Sequence, residues 1–102
     1  MMTLNELLVK QLHDIVKQYP EIQTVMLFGS RAHGDYQALS DIDLAVKAPG
    51  LSEMQWLLLA EQVENELDTL LKIDFILYDR ASVDLREQID HCHKVLYQLK
   101  NA

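Results

Sequence analysis

The stretch from Phe28 to Leu44 constrains the fold more than any other part of the chain. It contains a Gly29-Ser30 pair and, after ten intervening residues, Asp41-Ile42-Asp43. Side chains alternate faces along a strand, so Asp41 and Asp43 are expected on one face and Ile42 in a core on the other. Two neighbouring carboxylates repel each other, and a fold keeps them most readily with a cation between them. The stretch therefore predicts a turn between two strands and a metal-assisted site.

The Gly-Ser turn offers groups that suit a phosphate. Gly29 lets the backbone approach a phosphate without a Cβ in the way, and Ser30 can bond a phosphate oxygen through its hydroxyl and N–H. Ser30 is equally suited to cap a short helix over residues 30 to 33, and the two roles are compatible. Arg31 is a candidate for a further phosphate contact, with a surface ion pair as the alternative.

A third carboxylate, Asp74, lies in a later strand-like segment, Ile73-Asp74-Phe75-Ile76-Leu77. It shares a sheet face with Asp41 and Asp43 if this strand lies beside theirs. Two metal ions held by three carboxylates can neutralise phosphates and align an attacking hydroxyl. All three aspartates are therefore predicted to be metal ligands and catalytic, and Asp74 is a candidate general base or ligand of the second metal. The alternative for each is an ordinary solvated strand residue.

Apolar spacing predicts the element order α-β-(short α)-β-α-β-α. Strands are expected over residues 24–28, 41–47 and 73–77, and longer helices over 4–17, 52–71 and 82–99. Thr3 with Glu6, and Ser52 with Gln55, have the form of capping boxes. The middle helix is expected to bury one broad face, made of Met54, Leu57, Leu58, Val63, Leu67, Leu70 and Leu71. The order favours a small α/β (α+β) fold, with a mixed sheet, helices mainly on one face and the other face partly open for the aspartates.

Size and charge exclude several classes of function. The chain has 102 residues, enough for a single domain over residues 1–102. Its net charge of −7 argues against a nucleic-acid partner, which needs a basic surface. Cys92 is the only cysteine, so no intrachain disulfide forms and a cytoplasmic location is expected. No apolar run is long enough to cross a bilayer, and no membrane association is expected.

Several other residues invite a functional reading. His91-Cys92-His93 looks like a metal cluster, but residues two apart on a helix point in nearly opposite directions, so we expect no metal there. Cys92 instead falls on the apolar stripe of the last predicted helix and is expected in the core. Trp56 fits either the edge of the core or a protein interface. Tyr36 fits either stacking on a base or covering the turn.

The Gly29-Ser30 pair with Asp41-Ile42-Asp43 resembles the signature of the nucleotidyltransferases related to DNA polymerase beta, and the small size resembles their minimal branch. Lys72-Ile73-Asp74-Phe75 lies where that family carries its third carboxylate. The segment from Asp84 to Tyr97 is similar to the family's last helix. His33 departs from the pattern, since relatives often have Arg or Lys at this position.

This resemblance implies the polymerase beta-like nucleotidyltransferase fold, ATP as substrate and two Mg²⁺ ions held by Asp41, Asp43 and Asp74. It implies nucleotide contacts from Gly29, Ser30 and Arg31. It further implies transfer of AMP to a hydroxyl of a separate helical partner, a HEPN or substrate-binding protein, because the chain has no room for an acceptor domain. Such pairs behave as toxin and antitoxin. A homodimer and a hetero-oligomer both remain open.

Two other functions remain open from the sequence. One is nucleotidyl transfer to a small molecule or to an RNA end, with RNA disfavoured by the acidic charge. The other is a non-catalytic nucleotide-binding module that neutralises its partner by binding it.

Overall fold

The computed structural model describes residues 4–34 and 40–99 and has an α+β fold within them. The helices are α1 (Glu6–Val16), α2 (Ser30–His33), α3 (Glu53–Glu66) and α4 (Val83–His91), and the strands are β1 (Thr24–Phe28), β2 (Ile42–Lys47), β3 (Ile73–Leu77) and β4 (Lys94–Gln98). A 3-10 turn, Tyr78–Arg80, connects β3 to α4. The three predicted strands are confirmed to within a residue.

The four strands form one mixed sheet in the order β3-β2-β1-β4. Strand β1 lies between β2 and β4 and is antiparallel to both. Strand β2 is parallel to β3, which forms an edge of the sheet. The prediction of a small mixed sheet is therefore confirmed, and the second and third predicted strands are neighbours.

The larger core lies between the sheet and helices α1 and α3. Alternate strand residues point into it, as the period-two pattern requires. The members from the strands are Val25, Leu27, Ile42, Leu44, Val46, Ile73, Phe75 and Leu77, and those from the helices include Leu8, Leu12, Ile15, Val16, Leu59 and Val63. The remaining strand positions, including the aspartates, are directed to the other face.

Helix α4 covers part of that other face. Ile89 of α4 is fully buried and packs with Met26 of β1 and Ala45 of β2 in a second, smaller cluster. Beside this cluster the sheet carries its polar residues. The open region predicted for the aspartates is therefore bordered by α4.

The prediction of one helix from residue 82 to 99 is wrong beyond His91. Cys92 caps the end of α4 with extended backbone, and the next residues form strand β4 along the edge of β1. Leucines at helical spacing suggested a longer helix, but pairing with the exposed edge of β1 overrides that local pattern. Cys92 is half-buried, and the His93 ring nitrogen Nδ1 lies 2.7 Å from the Ile89 carbonyl oxygen.

Helix α3 ends earlier than predicted and buries a different face. The Ser52–Gln55 capping box is confirmed, but the helix ends at Glu66. Its buried residues are Leu59 and Val63, whereas Met54, Leu57 and Leu58, predicted to be buried, are about half exposed or more. Residues 57 to 59 are all leucine, so the spacing of apolar residues does not show which of the three faces the core.

Two smaller predictions are resolved by packing and capping. Trp56 stacks on Phe75, with ring centroids 5.0 Å apart and planes 2° from parallel, so it belongs to the edge of the core. The N-cap of α1 is Asn5, whose side chain accepts a hydrogen bond from the Leu7 N–H at 2.7 Å. Helix α1 therefore begins at Glu6, and Thr3 lies outside the described residues.

The corrected face of α3 gives a testable difference between neighbouring leucines. Leu59→Ala should lower the free energy of unfolding by about 3 kcal/mol, because Leu59 is fully buried and its truncation leaves a cavity. Leu58→Ala should change it by less than about 0.5 kcal/mol, because that side chain is 49% exposed. Urea unfolding of both variants measures the difference, and equal losses would refute this orientation of α3.

Candidate active site

The three predicted aspartates lie where strands β2 and β3 begin. Asp43 of β2 is directly opposite Asp74 of β3 in the parallel pairing and opposite Phe28 of β1 in the antiparallel pairing. Asp41 lies just before β2, and the N–H of Ile42 donates to the Lys72 carbonyl at 2.9 Å. The fold thus brings three carboxylates from two neighbouring strands to one end of the sheet.

The electrostatics of this end centre on Asp43. Burial raises the pKa of Asp43 to about 6, together with the negative charge of Asp74, a hydrogen bond to the Asp74 side chain and the charge of Asp41. The positive charge of Lys72 acts against this rise in the pKa. Carboxylates with strongly raised pKa values are concentrated at functional sites. Asp43 is therefore the strongest functional candidate among the three.

Lys72 is a member of the site that the spacing argument did not single out. Its Nζ lies 3.5 Å from Oδ1 of Asp74, and both side chains are well exposed. Exposed ion pairs of this kind contribute little to stability. The pair does place a positive charge next to the carboxylates, where it partly balances them.

Gly29 brings the turn after β1 into direct contact with Asp43. Its φ of +72° is a conformation that glycine adopts readily and other residues rarely do. A Cβ on Gly29 would overlap the Asp43 Oδ2 atom and come within 3.1 Å of Asp43 Cγ. The glycine is thus required both by the backbone conformation and by the carboxylate beside it.

Helix α2 follows this turn at once. Gly29 is its N-cap, and the Gly29 carbonyl accepts hydrogen bonds from the N–H groups of Ala32 and His33 at 3.1 and 3.2 Å. Ser30 is the first helical residue, so the reading of Ser30 as the N-cap is wrong. The contribution of Ser30 to phosphate binding stays a prediction.

Arg31 is buried, with only 7% of its surface exposed. Its guanidinium donates from Nε and Nη2 to the Ser40 carbonyl, at 3.2 and 3.1 Å. These bonds connect α2 to the residue that precedes Asp41, and the burial of Arg31 shows that it is not a surface side chain. Phosphate binding by Arg31 stays a prediction, and Tyr36 lies outside the described residues.

A cleft of about 480 Å³ opens beside Asp43. One side is formed by Phe28, Gly29, His33 and Asp43, and the other by Gln88 and His91 of α4; we call this the α4 cleft. Gln88 and His91 were not predicted as site residues, because only the packing of α4 on the sheet brings them there. The available signal was a polar pair three residues apart on either side of buried Ile89.

The donor set at this end of the sheet suits a hard divalent cation. Mg²⁺ prefers carboxylate oxygens, and burial together with the negative charges of Asp74 and Asp41 raises the pKa of Asp43, only partly opposed by Lys72. Within residues 4–34 and 40–99, however, no three His, Cys, Asp or Glu side chains already converge on one point. Asp43 and Asp74 are in contact with each other. Asp41, just before the start of β2, acts on Asp43 through its negative charge.

Comparison with known proteins identifies the fold. The family model of the polymerase beta nucleotidyltransferases matches residues 10–102. No curated protein sequence is significantly similar to the chain. No helix in the described part of the chain has the length and hydropathy to cross a membrane.

Three solved structures illustrate the similarity. A chain in a toxin–antitoxin structure with AMP-PNP is 28% identical, over 90% of this chain and 74% of that chain, with a TM-score of 0.72. A chain in the MntA–HepT toxin–antitoxin structure is 26% identical, over 93% and 74%, with a TM-score of 0.68. A chain in the complex of a tri-AMPylated Shewanella oneidensis HEPN toxin with its MNT antitoxin is 26% identical, over 92% and 72%, with a TM-score of 0.68.

The spacing of Gly29-Ser30 and the aspartates, the mixed sheet that brings them together and the family match over residues 10–102 agree with one another. The chain belongs to the polymerase beta nucleotidyltransferase family and is a minimal nucleotidyltransferase.

Proposed function

We propose that this protein transfers AMP from ATP to a hydroxyl of a helical HEPN-type partner protein and is the antitoxin of a toxin–antitoxin pair. The observation that carries the proposal is the pairing of Asp43 with Asp74 on adjacent strands, with Gly29 in contact with Asp43. A single-domain organisation over residues 1–102 and a cytoplasmic location stay predictions.

The similar structures support the finer parts of this proposal. AMP-PNP in one toxin–antitoxin structure supports an adenine nucleoside triphosphate as the substrate. An AMPylated HEPN toxin in complex with an MNT antitoxin supports a protein acceptor. The acidic net charge of −7 makes an RNA end a poor alternative acceptor.

The metal ligands in this proposal are Asp41, Asp43 and Asp74. Magnesium bound there would neutralise charge on the triphosphate and make the acceptor hydroxyl easier to deprotonate. Gly29 lets the turn and the Asp43 carboxylate lie in direct contact, because no Cβ separates them.

Asp74 has the best access to an acceptor. Strand β3 is at the edge of the sheet, and the Asp74 side chain is 41% exposed. A hydroxyl from another protein can reach this carboxylate without passing between strands. We assign Asp74 the role of accepting the hydroxyl proton, with Asp43 beside it holding the site together.

Intact mass spectrometry of the partner tests the proposal. The purified protein is mixed with a candidate HEPN-type partner, ATP and magnesium. We expect the partner to gain the mass of one or more AMP groups, and chelation of magnesium by EDTA to prevent the gain. No gain under conditions in which ATP binding is measured directly would contradict protein AMPylation, and screening small-molecule acceptors would then test the rival.

Replacing the catalytic carboxylates separates catalysis from neutralisation by binding alone. The double variant Asp41→Asn/Asp43→Asn should fail to protect cells from the partner although it still binds it. Asp14→Asn is the matched control, because Asp14 is exposed and its side chain forms an exposed ion pair with Lys17. Protection by the double variant equal to that by the wild type would instead favour the non-catalytic module.

A further inference from the structure

Strand β3 leaves one edge of the sheet unpaired. It pairs with β2 on one side, and in the described part of the chain no strand pairs with its other side. The N–H of Ile42 in β2 donates to the Lys72 carbonyl, which therefore faces β2. Because main-chain groups alternate in direction along a strand, those of Ile73 and Phe75 point away from the sheet. This edge thus presents free N–H and C=O groups to solvent.

A groove of about 530 Å³ lies along this edge, between β3 and the end of α3; we call it the edge groove. Its lining includes Ala60 and Val63 of α3 and the side chains of Ile73 and Phe75 of β3. Leu70, in the connection between α3 and β3, also lines the groove and is fully exposed. Covering a fully exposed leucine beside an apolar groove is favourable, so this surface suits an apolar side chain from outside.

The edge groove and the proposed reaction centre lie on the two faces of the same strand. Side chains alternate along β3, so Asp74 is on the face opposite to Ile73 and Phe75. Lys72 connects the two regions, because it lines the groove and its Nζ lies 3.5 Å from Oδ1 of Asp74. A chain segment that runs along the outer edge of β3 therefore reaches both the groove and the carboxylate.

An extended segment fits this edge in a defined register. Residues directly opposite each other on paired strands project to the same face of a sheet, and successive residues alternate between the faces. The residue opposite Asp74 would therefore direct its side chain toward the carboxylates, and its two neighbours would direct theirs toward the edge groove. A residue with a hydroxyl, placed between two apolar residues, matches this pattern.

The charge around the edge groove favours a basic partner over a second copy of this chain. Helix α3 contains glutamates and no lysine or arginine, and its Glu64 lines the groove. The cation of the groove, Lys72, already pairs with Asp74. A second copy paired through the same edge would bring its own Asp74 and Glu64 toward these carboxylates, in a protein of net charge −7. A segment that carries Lys or Arg is instead attracted.

We propose that a basic segment of the acceptor protein adds to the outer edge of β3 as an extended strand, with the acceptor hydroxyl opposite Asp74 and its apolar neighbours in the edge groove. This inference rests on the proposed transfer of AMP to a protein hydroxyl. The hydroxyl then belongs to a part of the partner outside its helices. Main-chain hydrogen bonds to Ile73 and Phe75 supply affinity, and the groove selects the apolar neighbours.

Amide hydrogen exchange of the wild-type protein, followed by NMR with and without a candidate HEPN-type partner, tests the addition of a strand. The amides of Ile73 and Phe75 point to solvent in the free protein, and their exchange should slow at least about tenfold in the complex. The amide of Ile76 faces β2 and should be protected in both states. Fast exchange at Ile73 and Phe75 in a complex that transfers AMP would overturn the inference and leave the proposed function intact.

Steady-state kinetics of AMP transfer test the edge groove. Leu70→Asp should raise the KM for the partner about tenfold, because it places a charge at an apolar contact, and should change kcat and the KM for ATP by less than about twofold. The fold should be unaffected, because Leu70 is fully exposed. The matched control is Val95→Asp, at an exposed apolar residue on the opposite edge of the sheet, which should leave all three constants unchanged.

The other possible results are distinguishable. An unchanged KM for the partner in Leu70→Asp, or a raised one in Val95→Asp alone, would overturn the inference. Protection of Ile73 and Phe75 that increases with the concentration of this protein alone would assign the edge to a second copy and also overturn it. A partner that protects these amides but gains no AMP would contradict the proposed function and retain the edge as a binding surface. A partner that neither binds nor gains AMP would contradict both.

Discussion

Asp43→Asn is expected to abolish nucleotidyl transfer while making the metal-free protein more stable. Loss of a carboxylate proposed to bind the metal should remove several kcal/mol of charge stabilisation in the transition state, so the rate should fall at least about 1,000-fold. In the metal-free protein the same carboxylate is a source of repulsion, because burial, Asp74 and Asp41 raise its pKa to about 6. The Asp43 carboxylate is therefore expected to support activity and to lower the stability of the metal-free protein.

The sign of the stability effect follows from the direction of the pKa shift. An unfolded aspartate has a pKa near about 3.9, so the folded protein binds more protons between that pH and about 6. The cost of ionising Asp43 is absent below the unfolded pKa and complete above the folded one. Discounted for solvent screening, it is about 1 kcal/mol at neutral pH. Asparagine carries no charge and can donate to Asp74, so it removes this cost.

Chemical unfolding in EDTA at pH 7.5 and pH 4 measures this second effect. We expect Asp43→Asn to raise the free energy of unfolding at pH 7.5 and to lose most of that advantage at pH 4. Asp14→Asn should leave the free energy of unfolding unchanged at both pH values. It should also retain activity, because Asp14 is exposed and its ion-pair partner, Lys17, is on the same helix α1. A destabilised Asp43→Asn protein at pH 7.5 would refute the electrostatic account, and retained transfer activity would refute the catalytic assignment.

The positions of the aspartates at one end of the sheet could be predicted from the sequence, because the patterns that indicate them are local. The alternation around Asp43 and Asp74, and the break at Gly29, fix strand faces and a turn within a few residues. Their juxtaposition needed one assumption, that the third strand lies beside the second. The parallel pairing of β2 with β3 satisfies it.

What escaped prediction depends on long-range packing. Residues 94 to 98 carry an apolar spacing that suits a helix, but they form β4 because the edge of β1 offers hydrogen bonds to a strand. This shortens α4, and the shortened helix places Gln88 and His91 at the cleft. The burial of Arg31 is of the same kind, since its partner is a carbonyl nine residues away.

Gly29→Ala is expected to lower both stability and activity, and Gly34 provides a matched control within the same short helix region. Both glycines have positive φ, +72° and +88°, so either alanine costs about 1 kcal/mol of backbone strain. Of the two, Gly29 is where the added Cβ overlaps a side chain, that of Asp43, whereas at Gly34 no atom of the described residues lies within 4 Å. We therefore expect a loss of about 2–4 kcal/mol for Gly29→Ala and about 1 kcal/mol for Gly34→Ala.

The activity of the two variants should differ more than their stability. Displacement of a reacting group by about 1 Å can cost about 100-fold in rate, and the Gly29 Cβ forces Asp43 to move. Gly34→Ala should stay within a few-fold of the wild type. A double-mutant cycle separates the strain from the clash, because in an Asp43→Ala background Gly29→Ala should cost only the strain of about 1 kcal/mol. An undiminished loss in that background would show that the Asp43 contact is not what requires glycine at position 29.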